Sequence, residues 1–395
     1  MTVDTSAADD STFGTGAELL AIDAALAAGE AVLSHRFGST ITLVDPEDLD
    51  GSGPATVVRA KVATSPFDLP RTLVIKHYPD APGPGVPDPF AQEAVSYQLF
   101  TALPPEERMC PELLAHDGRE RVLVIDDLGH APTLRDKLRT PDARAAETAL
   151  LSWARSLGRL HASTASREAD FNALLRRLGG PVGGDDSSPL TACAQLPELL
   201  ERALGVRTHE RVRAAAERAA EHARSACYRA FSPVDLWPDN NLVTSSGVRF
   251  LDFERGRVRS ALVDVAHLRV PFVTSPEALA LPAGMSEAMV AAWRAEVAGI
   301  WPSLVDDEAL SAYLLDSQLL GVWMVTWDLL PKLPVGTTAG PTSRPAALTT
   351  WWRDLAAHAE RGGAAELAAH AGDVATGLEA RYGQGLELAL YPAFR

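Results

Sequence analysis

The segment VDLWPDNNLV, residues 234–243, places polar side chains between two apolar parts of the chain. Asp235 and Asn240 are spaced D-x-x-x-x-N within it, and the run GVRFLDF that follows contains Asp252 near its end. Buried polar groups without partners are costly, so a packed domain would favour Val and Leu at such positions. The pattern therefore predicts a functional loop followed by a short strand, with Asp252 at the end of that strand.

The chain before this loop changes from strand-like to helical patterns. The runs STITLV, ATVVRAKVAT and RTLVIKHY are short and rich in β-branched residues, which predicts an antiparallel meander. A linker rich in Pro and Gly precedes the helix AQEAVSYQLFTAL and the strand RVLVIDDLG. From about residue 142 onward the pattern is mostly helical, and Trp323 and Trp327 are predicted to pack in a helical core.

These elements predict an α+β chain, in which a small antiparallel-sheet lobe comes before a larger, mainly helical lobe. A chain of 395 residues is too long for one ordinary hydrophobic core, which agrees with two lobes. The predicted organisation is a disordered acidic tail at residues 1–17, a sheet-containing lobe at 18–128 and a helical lobe at 129–395.

The overall charge and the cysteine content exclude some classes of function. The formal net charge is −16, which argues against binding to nucleic acid or to an anionic membrane, since both are polyanions. The three cysteines, Cys110, Cys193 and Cys227, form no CxxC pair, which is typical of a reducing compartment. The sequence shows neither a signal peptide nor a membrane-spanning run, so we expect a cytoplasmic protein. The oligomeric state stays open.

Lys76 and Glu93 suit one half of a site for phosphoryl transfer from ATP. Lys76 lies within the strand run LVIKHY, and Glu93 lies in the next predicted helix. A fixed cation can hold the phosphates of ATP, and a carboxylate on a neighbouring helix can hold that cation in place. Each residue alone would be an ordinary surface residue, so this interpretation depends on the rest of the set.

Asp235, Asn240 and Asp252 suit the other half of such a site. We expect Asp235 to accept the proton of an attacking hydroxyl, and Asn240 and Asp252 to hold Mg²⁺ between the phosphates. Asn241 lies one residue beyond the expected offset from Asp235, so Asn240 is the predicted ligand. The set predicts a catalytic loop at residues 233–241 and a metal-binding strand end at 250–254.

In this order along the chain, these segments resemble the aminoglycoside phosphotransferase and choline kinase-like family. That family typically carries H-G-D-L-H-P-G-N followed by a strand ending I-D-F, and this chain has PVDLWPDN at residues 233–240 and LDF at 251–253. The resemblance covers about residues 40–271, except for a helical insertion within that span. It implies a bilobal protein kinase-like fold, the cofactors ATP and Mg²⁺, and a small-molecule hydroxyl acceptor.

The resemblance also implies roles for residues outside the loop. His161 in LGRLHAST and Asp264 in ALVDVAHL are implied to brace the active-site loops by hydrogen bonds. Asp127 and Leu128 lie where the nucleotide hinge of the family bonds adenine through backbone atoms. Side-chain identity therefore says little at these two hinge positions.

Two departures from the family pattern affect the loops. The His-Gly that precedes the catalytic Asp in the family, where the His helps to brace the loop, is replaced here by Pro233-Val234. The phosphate-covering loop is reduced to Gly51 and Gly53, without a full G-x-G-x-x-G. A simple hairpin turn explains these two glycines equally well.

The leading hypothesis is an ATP-dependent kinase that phosphorylates a hydroxyl of a small molecule. The acidic composition slightly favours a cationic acceptor, such as an aminoglycoside or another amino sugar. The departures above motivate the alternative of a nucleotide-binding pseudokinase with a regulatory role. A protein kinase is less well supported, because the short interval between Asp252 and Asp264 leaves no room for a long activation loop.

Overall fold

The computed structural model of the protein describes residues 11–51, 53–83, 86–180, 188–334 and 339–395, without the side chains of residues 11–15. The chain divides into two compact units. The first unit comprises Met1–His130 and Leu174–Pro181, and the second comprises Ala131–Ala173 and Val182–Arg395.

The first unit contains one five-stranded antiparallel sheet together with helices. Its elements in chain order are α1 (Ser11–Phe37), β1 (Thr42–Asp48), β2 (Thr56–Thr64), β3 (Thr72–His77), α2 (Pro89–Thr101), β4 (Leu113–Asp117) and β5 (Val122–Asp126). The order of strands across the sheet is β1-β2-β3-β5-β4, and every neighbouring pair is antiparallel. The predicted meander is therefore confirmed, and β3 is its central strand.

Helix α1 packs on one face of this sheet. Leu33 of α1 and Ile75 of β3 are fully buried in the same hydrophobic cluster. The helix and the strand approach closely at Gly29, where an added Cβ would lie 2.7 Å from the Cδ1 atom of Ile75. Side chains alternate between the faces of a strand, so Leu73 and Ile75 lie toward α1 while Lys76 lies on the opposite face.

The beginning of α1 differs from the predicted tail. The tail was predicted to extend to residue 17, but the helix already begins at Ser11, so residues 11–17 of that segment are helical. Extending an existing helix adds one backbone hydrogen bond for each residue that is fixed, which makes such an extension easy. The helix ends at Phe37 and is followed by Gly38 with a φ of +68°, a conformation that favours glycine directly after a helix.

The second unit is mainly helical. Its helices are α3 (Leu134–Arg139), α4 (Ala143–Thr164), α6 (Ser188–Leu204), α7 (Glu210–Arg224), α8 (Leu262–Arg269), α9 (Met285–Val297), α10 (Asp307–Leu329), α11 (Arg344–Arg361) and α12 (Ala365–Tyr382). Helix α5 (Glu168–Arg177) contains the boundary between the two units. These contents confirm the predicted α+β class, with a sheet-containing unit before a larger helical one.

Two small antiparallel ribbons frame the polar segment from which the sequence analysis began. Strand β6 (Arg229–Ser232) pairs with β9 (Arg257–Ser260), and β7 (Asn241–Thr244) pairs with β8 (Gly247–Phe250). The predicted strand GVRFLDF is thus shorter than expected, because β8 ends at Phe250 and residues 251–253 leave the ladder. Strands β6, β7 and β9 were not predicted.

Of the two tryptophans predicted to pack in a helical core, Trp323 of α10 lies in the core of the second unit and Trp327 lies at its edge. Trp323 is fully buried, as predicted, and its indole N–H donates to the backbone carbonyl of Ala192 at 3.1 Å. Trp327 is half-buried and donates to the side chain of Gln195 at 2.9 Å. Within the described residues, the structure contains no helix that is both long and apolar enough to span a membrane.

Candidate active site

Lys76 and Glu93 form the ion pair that the sequence predicted. The ammonium group of Lys76 lies 2.5 Å from Glu93 Oε1, and both side chains are buried. The hydroxyl of Tyr78 donates to the other carboxylate oxygen of Glu93. A buried carboxylate is costly unless it is paired and hydrogen-bonded, and Glu93 has both kinds of partner. The pair fixes the Lys76 ammonium on β3, while its role in holding phosphates stays a prediction.

The start of α2 sets the position of Glu93. Asp88 caps the helix, because its carboxylate accepts from the backbone N–H of Phe90 at 3.1 Å. Arg121, in the turn before β5, donates to both oxygens of Asp88 at 2.8 and 2.9 Å. The helix that carries Glu93 is thereby tied to the sheet that carries Lys76.

Asp127 and Leu128 directly follow β5, where the resemblance implies the nucleotide hinge. Arg59 of β2 donates to both carboxylate oxygens of Asp127, at 3.0 and 3.3 Å, and the N–H of Gly129 donates at 3.0 Å. Burial alone would raise the pKa of Asp127, but these bonds hold it below its usual value. The side chain of Asp127 therefore fastens the segment to the sheet, while Leu128 is half-buried. The predicted backbone contacts with a nucleotide stay a prediction.

Gly51 and Gly53 lie in the connection between β1 and β2. Residue 52 lies outside the described residues. An added Cβ at Gly51 would come within 2.9 Å of Val57 Cγ2, so close packing alone favours glycine there. The two glycines do join antiparallel neighbours, as the turn interpretation requires, and contact with phosphate stays a prediction.

The segment with Asp235 leaves β6 and enters a 3₁₀ turn at Pro238–Asn240 before β7 begins. Val234 has a φ of +68° and Asp252 has a φ of +62°, a region that residues other than glycine rarely adopt. Such conformations persist where the surroundings hold them, and they concentrate at functional sites. Both acidic residues of the predicted site thus lie in or beside strained backbone.

The carboxylate of Asp235 lies in an environment that disfavours its charge. The pKa of Asp235 is raised to about 6, chiefly by burial and also by the like charges of Asp252 and Asp239. A hydrogen bond from the backbone N–H of Trp237 and the positive charge of Arg255 oppose that shift. Asp235 and Asp252 are therefore close enough to interact electrostatically. A general base is most effective when its pKa lies near the working pH, and this shift moves Asp235 in that direction.

A hydrogen-bonded cluster holds the start of the loop in place. We call it the brace; its members are Ser232, Arg259, Asp264 and His161. The hydroxyl of Ser232 accepts from the backbone N–H of Val234 at 3.0 Å and from Arg259 Nε at 2.9 Å, and it donates to Asp264 at 2.8 Å. One hydroxyl thereby uses its donor and both of its acceptor positions.

Asp264 is the charged centre of the brace. Burial alone would raise its pKa, but the Arg259 guanidinium at 2.6 Å, together with bonds from His161 and Ser232, holds the pKa well below its usual range. His161 Nδ1 accepts from the indole N–H of Trp293 at 3.1 Å, so its Nε2 carries the proton and donates to Asp264 at 3.2 Å. The predicted bracing hydrogen bonds of His161 and Asp264 are thus present.

The brace explains how the loop is held without the family's His-Gly. Ser232 and Arg259 were missed by the sequence analysis, and they anchor Val234, which stands at one of the two replaced positions. No spacing signal identifies them, because Arg259 comes from a strand that was not predicted. Their roles follow from tertiary contacts alone.

Asn240 and Asn241 have different environments. Asn240 is half-buried at the end of the 3₁₀ turn, and its backbone carbonyl accepts from Leu251 N–H at 2.8 Å. Asn241 is fully buried and its side-chain N–H donates to the carbonyl of Trp237. Its Oδ1 atom is buried and has no hydrogen-bond partner among the described residues. Asn240 stays the predicted metal ligand, and the buried side chain of Asn241 fixes the loop through its bond to Trp237.

The donors that could hold Mg²⁺ here are few. Among the described residues, no group of three or more His, Cys, Asp and Glu side chains is placed to hold a metal ion. Mg²⁺ in nucleotide sites is usually bound through one or two protein oxygens, with phosphates and water completing its coordination. The mutual repulsion of Asp235 and Asp252 also makes a cation favourable beside them. The residues present therefore fit such an ion.

No protein-family model and no curated protein sequence matches this chain. Solved structures similar to it include choline kinase LicA from Streptococcus pneumoniae, at 14% identity, covering 85% of this chain and 98% of that one, with a TM-score of 0.41. A choline/ethanolamine kinase family protein from Mesorhizobium loti is 17% identical. The match covers 84% of this chain and 93% of that one, with a TM-score of 0.41. A thermostable mutant of an aminoglycoside phosphotransferase is 16% identical. The match covers 89% of this chain and 98% of that one, with a TM-score of 0.40.

These structures come from the groups of kinases whose motifs the sequence resembles. Their identities and TM-scores are low, so they indicate neither the reaction nor the substrate of this chain.

Proposed function

We propose that this protein is an ATP-dependent phosphotransferase that phosphorylates a hydroxyl group of a small molecule. The observation that carries the proposal is the loop of Asp235, where a carboxylate with a pKa raised to about 6 interacts with that of Asp252 and is followed by the half-buried Asn240. A solvated acidic turn would not need a buried brace to hold its backbone in a strained conformation.

The reaction would join the acceptor oxygen to the γ-phosphorus of ATP and break the bond from that phosphorus to the bridging oxygen, which leaves as ADP. Asp235 orients the acceptor hydroxyl and takes its proton. Asp252 and Asn240 would hold Mg²⁺, which neutralises charge on the phosphates when bound. The brace keeps Asp235 at a fixed position, since such catalysis depends mainly on positioning.

In the first unit, the Lys76 ammonium is the proposed phosphate contact. Glu93 and the burial of both groups fix its position, so little reorganisation is needed when a polyanion binds. A structural ion pair would look the same in isolation. The proposal therefore rests on Lys76 together with the loop of the second unit, not on the pair alone.

The test is acceptor-dependent release of ADP by the purified protein, with ATP, Mg²⁺ and a panel of hydroxylated amines, sugars and acids. We expect Asp235→Ala to lower kcat by about two orders of magnitude or more while ATP still binds. Asp170→Ala is the matched control, because Asp170 lies on α5, its side chain is 57% exposed, and it pairs with Arg167 just before that helix. It should keep the wild-type rate.

The pseudokinase alternative gives a different result in the same experiment. ATP and Mg²⁺ would bind, yet no acceptor in the panel would release ADP above the rate without acceptor. The replacement of His-Gly by Pro233-Val234 motivated that alternative, but the brace supplies other contacts at this position. Turnover by Asp235→Ala equal to that of the wild type would refute the role given to Asp235.

A further inference from the structure

A cavity of about 550 Å³ lies in the second unit next to the loop of Asp235. Trp237, Pro238 and Asp239 of that loop form one wall. The backbone N–H of Trp237 also donates to the carboxylate of Asp235 at 3.3 Å, so the wall is continuous with the proposed base. The other walls come from α3, residues 275–279 and the C-terminal residues 391–392.

Two arginines of α3 dominate the polar part of this cavity. Arg135 and Arg139 are four residues apart, so they lie on the same face of the helix. Each donates to a different oxygen of Glu277, and both distances are 2.6 Å. Asp239 lies farther away, at 3.9 Å from Arg135 Nη1. Two guanidinium groups thus share one carboxylate at hydrogen-bond distance.

This arrangement has more hydrogen-bond donors than acceptors. A guanidinium group has five N–H donors, whereas Glu277 supplies two oxygens to both arginines. The Nε of Arg135 is buried and has no hydrogen-bond partner among the described residues. A buried donor without a partner is costly, and a ligand with acceptor oxygens would remove that cost.

The remaining walls are largely apolar. The indole N–H of Trp237 already donates to Thr274 at 3.1 Å. Leu138, Pro276 and Leu279 add hydrocarbon surface to the cavity. A small molecule with a carbon skeleton and one group rich in acceptor oxygens matches these walls better than a compact cation does.

We propose that this cavity is the acceptor site and that the acceptor is a hydroxylated compound carrying a carboxylate, which Arg135 and Arg139 bind. Its assignment as the acceptor site rests on the proposed phosphotransferase function. Glu277 already places one carboxylate against both guanidinium groups, so their spacing suits that group. The net charge of −16 favoured a cationic acceptor, but it describes the whole chain, whereas the cavity has two arginines beside its two acids.

The test is a binding titration by ligand-observed NMR in the absence of ATP. Matched probes are glycerate against glycerol and gluconate against glucose, with choline as the cationic probe. The carboxylates should bind saturably and at least about tenfold more tightly than their neutral partners, since a charge-assisted hydrogen bond contributes about that much.

Charge-changing variants give the sign of the effect. Arg139→Gln should weaken binding of the carboxylates about tenfold, whereas Glu277→Gln should strengthen it, because both arginines lose their competing partner. For choline we expect the opposite: Arg139→Gln should strengthen its binding and Glu277→Gln should weaken it. Arg207→Gln is the control, since Arg207 is 88% exposed and lies outside the cavity, and it should change nothing. Thermal melting checks that the variants fold. Arg139→Lys keeps the charge, so its affinity for the carboxylates should lie between those of the wild type and Arg139→Gln.

The proposal is overturned if no carboxylate binds saturably, if choline binds more tightly than the carboxylates, or if Glu277→Gln weakens carboxylate binding. ADP release separates this failure from failure of the proposed function. Release with cationic acceptors alone would refute the carboxylate class and leave the phosphotransferase standing. If carboxylates bind but only other acceptors release ADP, the cavity is not the acceptor site. If no acceptor of any class releases ADP, the proposed phosphotransferase function fails.

Discussion

The two groups of candidate residues use charge in opposite ways. Lys76 and Glu93 neutralise each other on regular elements, a central strand and a capped helix, and both are buried. Asp235 and Asp252 carry like charges beside strained backbone. In the first arrangement each buried charge has a partner, whereas in the second the brace anchors the backbone of Val234 next to Asp235.

This contrast predicts how substitutions in the two groups affect stability. A paired buried charge becomes costly when its partner is removed. A carboxylate with a raised pKa, by contrast, destabilises the fold while it is ionised, so its removal should stabilise. Substitution of Lys76 should therefore lower the free energy of unfolding, whereas substitution of Asp235 should raise it.

The largest effect is expected at Lys76. Lys76→Ala leaves the fully buried Glu93 without its cation, which should lower the free energy of unfolding by about 3 kcal/mol. Lys61→Ala is the matched control, because Lys61 lies on β2 in an exposed pair with Asp45 and should cost at most about 1 kcal/mol. Urea denaturation measures both values. Equal, small losses of unfolding free energy in the two variants would show that Glu93 does not depend on Lys76 for its charge compensation.

A smaller loss is expected in the brace. Ser232→Ala removes three hydrogen bonds, one of them from Val234 N–H, and should cost about 2 kcal/mol of stability. It should also lower kcat about tenfold with an unchanged Kd for ATP, because the loop that carries Asp235 loses its anchor. Ser163→Ala, at a half-buried serine of α4, is the control. A drop in stability without a drop in kcat would limit the brace to a structural role.

The smallest effect, and the one with the opposite sign, is expected at Asp235. Its folded pKa of about 6 lies above the unfolded value of about 3.9, so the folded state binds the proton more tightly. The resulting stability is present below pH 4 and is lost as the pH rises through about 6. At pH 8, Asp235→Asn should therefore be more stable than wild type by about 1 kcal/mol, discounted for partial exposure.

Thermal melting at pH 8 and at pH 4 checks this sign. The advantage of Asp235→Asn should shrink at the lower pH, where the wild-type carboxyl is protonated. The same titration predicts that kcat of the wild type falls as the pH drops below about 6. A variant that is less stable than wild type at pH 8 would show that the ionised carboxylate is stabilised by its surroundings.

The sequence allowed the regular elements and the paired residues to be predicted. The first three strands have clear β-branched runs, and strand and helix patterns place Lys76 and Glu93 on successive elements, while their pairing was inferred together with Asp235, Asn240 and Asp252. The predicted site residues of the second unit lie in a motif with fixed spacing. These features depend on local pattern, which a single sequence contains.

The parts that could not be predicted depend on contacts distant in sequence. Strands β6, β7 and β9 have four residues each, too few for an alternating pattern to stand out. Ser232 accepts from the backbone N–H of Val234 and Arg259 donates to Ser232, and nothing in their own neighbourhood marks either residue. Arg135 and Glu277 are 142 positions apart, so their ion pair in the cavity has no local signal.

The most direct test of the central claim follows the phosphoryl group itself. Wild type and Asp235→Asn are each saturated with ATP and Mg²⁺, given the best acceptor from the panel, and followed by phosphorus NMR. We expect a new phosphoester resonance with the wild type, and its rate of appearance should be at least about a hundredfold lower with Asp235→Asn at equal ATP occupancy. Equal rates of phosphoester formation in the two proteins would contradict the assignment of Asp235 as the catalytic group.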